Sequence, residues 1–301
     1  TVAGQIIVGG GGRASGTETL TIENIAFEGD KSNFYSGTDA FILVPSTKTS
    51  GTPYYTDGYN YAHNVTVDGC SFTSTSASLD VVGIKATSGA GLYNLSVNES
   101  TGSNLHSFAQ LTGTTGSAIT DCEVTGSKSF VNISGGAGDH AITGCTFASA
   151  AEGGYAVRVK GTSSAAVTLD GNNFAAAPVL WLGEDDEPTG SITVLGGSYK
   201  GAVVSQMKDT GTATYALKGG IYSEAPDASF VAAGYYVGEN PDEETAEEFP
   251  YAVLGGYTVT FKNYDGTELF VTNVAVGSTA VYEGETPTKP ADAQNIYTFV
   301  G

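Results

Sequence analysis

The chain has 301 residues, which is enough for one large core or for two domains. It carries 32 acidic residues against 12 basic ones, a net charge of −20. Nucleic acids and anionic membrane surfaces are bound through basic patches, so this balance argues against both as partners. The charge is compatible with Ca²⁺ as a bound cofactor. No apolar run reaches the roughly 18 residues of a membrane-spanning helix.

A phrase of eight residues recurs along the chain and carries all three cysteines. It reads apolar, any, apolar, two turn-prone residues, small, any, aromatic. The copies are LTIENIAF (20–27), VTVDGCSF (65–72), LSVNESTG (95–102), SAITDCEV (117–124), HAITGCTF (140–147), VTLDGNNF (167–174), ITVLGGSY (192–199) and YALKGGIY (215–222). Apart from the first two intervals, the copies follow one another every 22–27 residues, which indicates a structural repeat.

Each copy predicts two short strands joined by a sharp bend. In the second copy, Val65 and Val67 share one face of a strand, and Cys70 and Phe72 share one face of the next. The two residues between them usually include Gly, Asn or Asp, which tolerate positive φ. A third apolar strand is predicted after a loop of variable length at 41–44, 81–84, 130–133, 157–159, 179–182 and 203–204.

Three strands per repeat with a bend of fixed length predict a right-handed parallel β-helix over residues 1–250, in an all-β chain. An antiparallel β-sandwich is the alternative, but it does not explain why like residues recur at like positions. In a β-helix the last position of the phrase forms an internal aromatic ladder, interrupted by Gly102 and Val124. The cysteines occupy the small position, so we expect free, buried thiols that act as small hydrophobic groups.

The strongest candidate for ligand binding lies between the first two copies. Their interval of 45 residues contains an insertion, STKTSGTPYYTDGYNYAH (46–63), with Tyr54, Tyr55, Tyr59 and Tyr61 among Gly, Ser, Thr and Asp. Tyrosine in such a setting is suited to recognition, because its ring is amphipathic and costs little entropy to order. Exposed tyrosine rings also stack on sugars. The alternative is that these rings pack over the side of the β-helix.

Other segments contain residue types that are found in active or metal sites. Enzymes occur on β-helices, and GDH (138–140) and RVK (158–160) are one repeat apart, but the acidic motifs of a hydrolase do not precede them. We interpret Asp139 as a loop residue, and Arg158 and Lys160 as a solvated outer face. EDDE (184–187) is a possible Ca²⁺ site, whereas the scattered histidines argue against zinc. Trp181 is predicted to be a core residue, and no catalytic or metal residue is assigned.

The character of the sequence changes after an acidic segment, ENPDEETAEE (239–248), which cannot pack in a core. YTVTFKN and ELFVTNV alternate around YDG, which predicts a hairpin. We therefore place a domain boundary near Gly255. Together with VAVGSTAVYEGETPTKP and YTFVG, this part (255–301) resembles the Listeria–Bacteroides repeat of the internalin B-repeat group, although the Trp that normally follows YTFVG is not present.

The resemblance implies a small, partial β-grasp-like module of the kind found in surface proteins of Gram-positive and gut bacteria. GGIYSEAPDASFVAAGYYV (219–237) also resembles a phrase at the end of β-helix regions in such proteins. We expect a monomeric, extracellular adhesin or stalk protein of the bacterial surface, which binds a host protein or a glycan. Targeting and anchoring segments are expected outside this stretch. The alternative is a polysaccharide lyase or glycoside hydrolase on the same fold.

Overall fold

The computed structural model describes residues 1–8, 18–44, 63–87, 92–208 and 210–289. They form a parallel β-helix with three sheets, which confirms the predicted fold class. Each sheet takes one strand from each coil, because the chain turns from one sheet to the next at every bend. Two 3₁₀ helices, Lys31–Asn33 and Ala228–Phe230, lie outside the sheets. Among the described residues, no helix has the length and apolar character needed to cross a membrane.

The strands are numbered in chain order and grouped here by sheet. Sheet I contains β1 (Ile6–Ile7), β4 (Ala40–Val44), β7 (Val82–Ala86), β10 (Ser107–Thr112), β13 (Ser129–Ser134), β16 (Val157–Lys160), β19 (Leu180–Asp186) and β22 (Val203–Met207). Sheet II contains β2 (Glu18–Glu23), β5 (His63–Asp68), β8 (Leu92–Asn98), β11 (Gly116–Thr120), β14 (Asp139–Thr143), β17 (Ala166–Asp170), β20 (Ser191–Val194) and β23 (Thr214–Leu217).

Sheet III continues each coil after the bend that follows sheet II. Its parallel strands are β3 (Ala26–Gly29), β6 (Ser71–Ser74), β9 (Thr101–Ser103), β12 (Glu123–Ser127), β15 (Thr146–Ser149), β18 (Asn172–Ala175), β21 (Gly197–Lys200) and β24 (Ile221–Tyr222). At its end, β26 (Tyr251–Lys262) pairs antiparallel with β24, with β25 (Tyr235–Glu239) and with β27 (Glu268–Ala275).

The predicted repeat register is the register of the structure. The second apolar position of each copy is the Cα partner of the same position in the next copy, from Ile22 and Val67 through to Val194 and Leu217. All of these side chains are buried. Sheet I also contains two strands that the prediction missed, β1 and β10. The segment of β10, SFAQLT, contains few apolar residues, so its sequence alone did not indicate a strand. In the structure it pairs with β7 and β13.

The aromatic ladder is present. Where the repeat lacks an aromatic residue in sheet III, the ladder continues through rings from sheet I. Phe27 stacks on Phe72 at a centroid distance of 5.2 Å. At Gly102 and Val124 the ring is missing from sheet III, and Phe108 fills this space. Phe72 meets Phe108 at 6.0 Å, and Phe108 stacks at 5.4 Å on a second ring from sheet I, Phe130, which stacks at 5.7 Å on the next ladder ring, Phe147.

Glycine is required at position 102 because the ring of Phe108 occupies the space that a side chain would need there. A Cβ atom at Gly102 would lie 2.9 Å from Phe108 Cδ2 and 3.0 Å from Leu105 Cδ1. Both distances are shorter than an ordinary van der Waals contact, so the interior is already full at this point. The interruption of the ladder in the sequence is therefore not a cavity in the core.

The three cysteines are free and buried, as predicted, but they also form hydrogen bonds. In three repeats the side chain at the small position accepts an N–H from the preceding coil. Cys70 N donates to Ser100 Oγ (3.1 Å), and Cys122 N donates to Cys145 Sγ (3.5 Å). Cys145 N donates to Asn172 Oδ1 at 2.9 Å. The hydrogen bond with Cys145, together with burial, raises the pKa of Cys122. The thiols are thus members of a polar row at the corner of the coil, and not simply hydrophobic groups.

The C-terminal part leaves the β-helix through a single long strand. The predicted boundary near Gly255 falls within β26, whose first half pairs with β24 and β25 and whose second half pairs with β27. In the acidic segment, Asn240 is buried and its amide donates to Thr245 Oγ1 and to the carbonyl of Phe249. YTFVG lies outside the described residues, so the β-grasp-like module stays a prediction.

Candidate functional site

The predicted tyrosine loop lies outside the described residues, and so do all four of its candidate side chains. Its flanking strands are described: β4 ends at Val44 in sheet I, and β5 begins at His63 in sheet II. The loop therefore connects these two sheets near the N-terminal end of the β-helix. The assignment of Tyr54, Tyr55, Tyr59 and Tyr61 to ligand binding stays a prediction.

The described residues place a different group of polar side chains on the outer face of sheet I. Alternate residues of these strands point into the core, for example Val157 and Val159 of β16, which are fully buried. The residues between them form a row across the sheet. From coil to coil, the Cα partners in this row are Lys85, Gln110, Asn132, Arg158 and Trp181.

Arg158 lies between Asn132 and Trp181 in this row and is held by four neighbouring groups. Its Cζ lies 4.2 Å from the ring centroid of Tyr155 and 5.2 Å from that of Trp181. Its Nε donates to Asn132 Oδ1 at 2.9 Å, and its Nη1 to Glu184 Oε1 at 2.8 Å. Only 12% of the Arg158 side chain is exposed. The expectation that it lies on the outer face is confirmed, but its environment is a packed cluster of rings and charges, not bulk solvent.

Trp181 was predicted to be a core residue, and this prediction is wrong. Leu180 and Leu182 are its fully buried neighbours, so Trp181 points to the opposite face and is partly exposed. The prediction counted the alternation from Val179, which precedes β19 at the corner of the coil, where strand alternation does not yet apply. Its indole Nε1 is buried and has no hydrogen-bond partner among the described residues.

A cavity of about 260 Å³ opens beside Arg158. It is lined by Tyr155, Trp181 and Glu184, and by His106 and Lys128 from the neighbouring coils. Gln110 Nε2 lies 3.1 Å from His106 Nδ1 and Ser107 Oγ lies 3.0 Å from it. With the Gln110 amide in this orientation its nitrogen donates to Nδ1, which leaves the proton of the neutral ring on Nε2. Burial lowers the pKa of His106, and the charge of Lys128 lowers it further. His106 is therefore a neutral hydrogen-bond donor at pH 7.

Two of the four acidic residues of EDDE (184–187), Glu184 and Asp186, serve as partners within the protein. Glu184 accepts hydrogen bonds from both Arg158 and Lys160. Asp186 Oδ2 accepts from the backbone N–H of Gly161 at 2.7 Å. Burial alone would raise the pKa of Glu184, but the hydrogen bond from Lys160 and the charge of Arg158 outweigh it and hold the pKa below its ordinary value. In the described ranges, no three His, Cys, Asp or Glu side chains converge as a metal site, and Ca²⁺ binding stays a prediction.

The two enzyme-like motifs are not brought together. Asp139 begins β14 of sheet II and is exposed, so its interpretation as a loop residue is wrong, whereas Arg158 lies on sheet I. His140, next to Asp139, points into the core and is only 1% exposed. Its Nδ1 lies 2.8 Å from Ser117 Oγ, the side chain at the same register position of the preceding coil. This pair is an interior feature and cannot contact a ligand on the surface.

His140 makes the stability of the fold sensitive to mild acid. Burial lowers its pKa below the ordinary value of 6.5, so below pH 6.5 the unfolded chain takes up a proton that the folded chain does not. We expect the free energy of unfolding to fall as the pH decreases through 6.5, until the folded pKa is reached. The measurement is urea unfolding between pH 7.5 and 5.0.

The matched control is the variant Ser117→Val/His140→Val, in which this interior row is apolar. Its neighbours in the row, Leu95 and Val167, are already apolar and buried. We expect the variant to fold and to lose a large part of the acid sensitivity. An unchanged pH dependence would show that other groups, such as the carboxylates or His106, control the acid response.

The residues around the cavity were not found from the sequence, although a signal for two of them was available. Once the inward positions of a strand are known, the residues between them must lie on the outer face, so Arg158 and Trp181 could have been placed in one row. His106, Lys128 and Tyr155 precede their strands at the corners of the coils, where no alternation places them. Comparison of the chain with protein-family models, with curated proteins and with solved structures gave no match.

Proposed function

We propose that this protein is a non-catalytic binding and stalk protein of the bacterial cell surface, which recognises a host or glycan ligand on the side of its β-helix. The observation that carries the proposal is the state of the polar groups on sheet I. Lys85 bonds Asp39 through both carboxylate oxygens, at 2.8 and 2.7 Å, and Glu184 is shared by Arg158 and Lys160. These carboxylates act as fixed partners of cations, which suits a rigid recognition surface.

An acid–base enzyme would need these groups in another state. A glycoside hydrolase uses two carboxyl groups, one of which is kept protonated by a raised pKa. Glu184 has a lowered pKa instead, and its partners leave it poorly suited to deliver a proton. A lyase would need a free base beside the substrate, whereas Arg158 is occupied by Asn132 and Glu184. The geometry of this face therefore supports binding better than turnover.

The location and the ligand class rest on two further features. The resemblance of 255–301 to a module of bacterial surface proteins supports an extracellular position. The tyrosine loop follows β4 of sheet I and precedes β5 of sheet II in the chain. We interpret the loop as a contact for sugars or for a host protein, because tyrosine provides apolar area and a hydroxyl together.

The test is a glycan array with the wild type and with the variant Tyr54→Ala/Tyr55→Ala/Tyr59→Ala/Tyr61→Ala. We expect binding to at least one glycan class, and a loss of about tenfold or more in the variant. Burying a large apolar side chain contributes about 1.5–3 kcal/mol, and about 1.4 kcal/mol corresponds to a tenfold change in affinity. The control is Tyr257→Ala/Tyr264→Ala, which removes two tyrosines that are 60% and 57% exposed on the hairpin. Equal binding by all three proteins would remove the loop from the proposal.

A further inference from the structure

The cavity beside Arg158 has a chemical character that differs from the rest of the protein. Four of the chain's 12 basic residues, Lys85, Lys128, Arg158 and Lys160, lie on or beside the outer face of sheet I. Three carboxylates accompany them, those of Asp39, Glu184 and Asp186. The exposed Asp185 lies in the same strand as Glu184 and Asp186. A third of the chain's basic residues is thus concentrated on this face, although the net charge of the chain is −20.

The donors around the cavity are only partly used. Lys128 forms no ion pair among the residues that the structure describes. Trp181 Nε1 is buried and has no partner there, and the Nε2–H of His106 is a further donor at the same cavity. A buried N–H without a partner costs free energy, so a bound acceptor at this point would be stabilised. The unused groups are all donors, which selects a ligand with negatively charged or strongly accepting oxygens.

The walls of the cavity place a second requirement on the ligand. Tyr155 and Trp181 meet edge to face at a centroid distance of 6.1 Å and give the cavity an aromatic side. Glu184, with 38% of its side chain exposed, offers an acceptor at the rim for a hydroxyl group. The volume of about 260 Å³ is just below the range of about 300–1,000 Å³ that is usual for drug-sized ligands. It therefore suits one ring and not an extended chain of rings.

We propose that this cavity binds one carboxylate-bearing sugar unit of an acidic polysaccharide. Its carboxylate would be held by Lys128 and by the N–H groups of His106 and Trp181, with the sugar ring against the aromatic side. Glu184 would accept a ring hydroxyl. The inference deepens the proposed function, since it names the ligand class, but it places the contact on the described face of sheet I and not in the tyrosine loop.

The experiment is calorimetric titration of the whole chain with an oligosaccharide of hexuronic acid units, with its carboxyl-reduced neutral form, and with a poly-glutamate peptide of equal charge. We expect binding of the acidic oligosaccharide, and at least about tenfold weaker binding of the other two. The variant Lys128→Gln removes the unpaired charge, and Trp181→Phe keeps a ring but removes the N–H. Each should weaken binding of the acidic oligosaccharide by about tenfold, since hydrogen bonds to charged groups contribute about 1.5–3 kcal/mol.

The matched control is Lys218→Gln, which makes the same change in net charge at an exposed lysine after β23 of sheet II. Its binding should equal that of the wild type, and thermal melting should confirm that all variants are folded. Binding of the acidic oligosaccharide that is unchanged in Lys128→Gln and Trp181→Phe would overturn the site and leave the proposed function intact, as would tighter binding of poly-glutamate. Binding of no saccharide at all, here or on the array, would overturn this inference and would remove glycans from the proposed function, which would then rest on a host protein as the ligand.

Discussion

Replacing Phe108 with alanine is expected to lower the free energy of unfolding by about 3–5 kcal/mol, the usual cost of deleting a fully buried aromatic ring. Phe108 is 0% exposed and contacts the rings of Phe72 and Phe130. It fills the space that Gly102 leaves in the aromatic ladder, so its loss would open a cavity in the middle of the β-helix. Urea unfolding at pH 7.5, followed by circular dichroism, measures the change.

Two controls make this expectation specific. Phe261→Ala removes a partly exposed ring from the hairpin and should cost less, about 1 kcal/mol. Gly102→Ala should also destabilise, by about 1–3 kcal/mol, because its Cβ would lie 2.9 Å from Phe108 Cδ2. In a Phe108→Leu background the cost of Gly102→Ala should become smaller. A loss below about 1 kcal/mol for Phe108→Ala would show that this ring does not carry the ladder across the gap.

Replacing Asn172 with leucine is the second substitution with a large expected effect. Asn172 is 1% exposed, its Oδ1 accepts from Cys145 N at 2.9 Å, and its Nδ2 donates to the carbonyl of Ile142 at 2.8 Å. Leucine has a similar size and can do neither, so two buried backbone groups lose their partners at about 1–3 kcal/mol each. We expect the free energy of unfolding to fall by about 2–6 kcal/mol, measured by the same urea titration.

The control for Asn172 is a change in the same row that keeps its hydrogen bonds. Cys145→Ser retains a donor and an acceptor, and Ser100 already occupies this position in another coil. We expect Cys145→Ser to change the free energy of unfolding by less than about 1 kcal/mol. If Asn172→Leu were equally mild, the row would be maintained by side-chain size alone, and its hydrogen bonds would be incidental.

Most of the fold could be predicted from the sequence because a β-helix repeats the same arrangement of strands and bends in every coil. The positions of Ile22, Val67 and their successors had to be partners, since like residues recur at like places. The strand β10 was missed because its polar Gln110 and small Ala109 hide an apolar pattern that only the pairing with its neighbours reveals. Phe108 of this strand also fills the gap in the aromatic ladder. This contact depends on the tertiary structure, and the local sequence does not indicate it.

The polar contacts of the structure were harder to predict from the sequence. The cysteine position was correctly predicted to be buried and small. The hydrogen-bonding capacity shared by Ser100, Cys145 and Asn172 was the overlooked signal of a polar row. Trp181 was predicted on the wrong face of its strand because the alternation was counted from Val179, which precedes the strand at a corner of the coil. The cavity joins residues from four successive coils and from their corners. Such convergence depends on loop geometry that a periodic pattern does not contain.

We propose that the outer face of sheet I binds a saccharide and does not cleave it. The most direct measurement incubates the whole chain with the acidic oligosaccharide at saturating concentration, with binding followed by calorimetry and the saccharide analysed by mass spectrometry. The expected result is saturable binding with the oligosaccharide recovered intact after prolonged incubation. Recovery of shorter products, whether hydrolysed or unsaturated, that disappear in Arg158→Lys or Glu184→Gln would contradict the claim and identify this face as an active site.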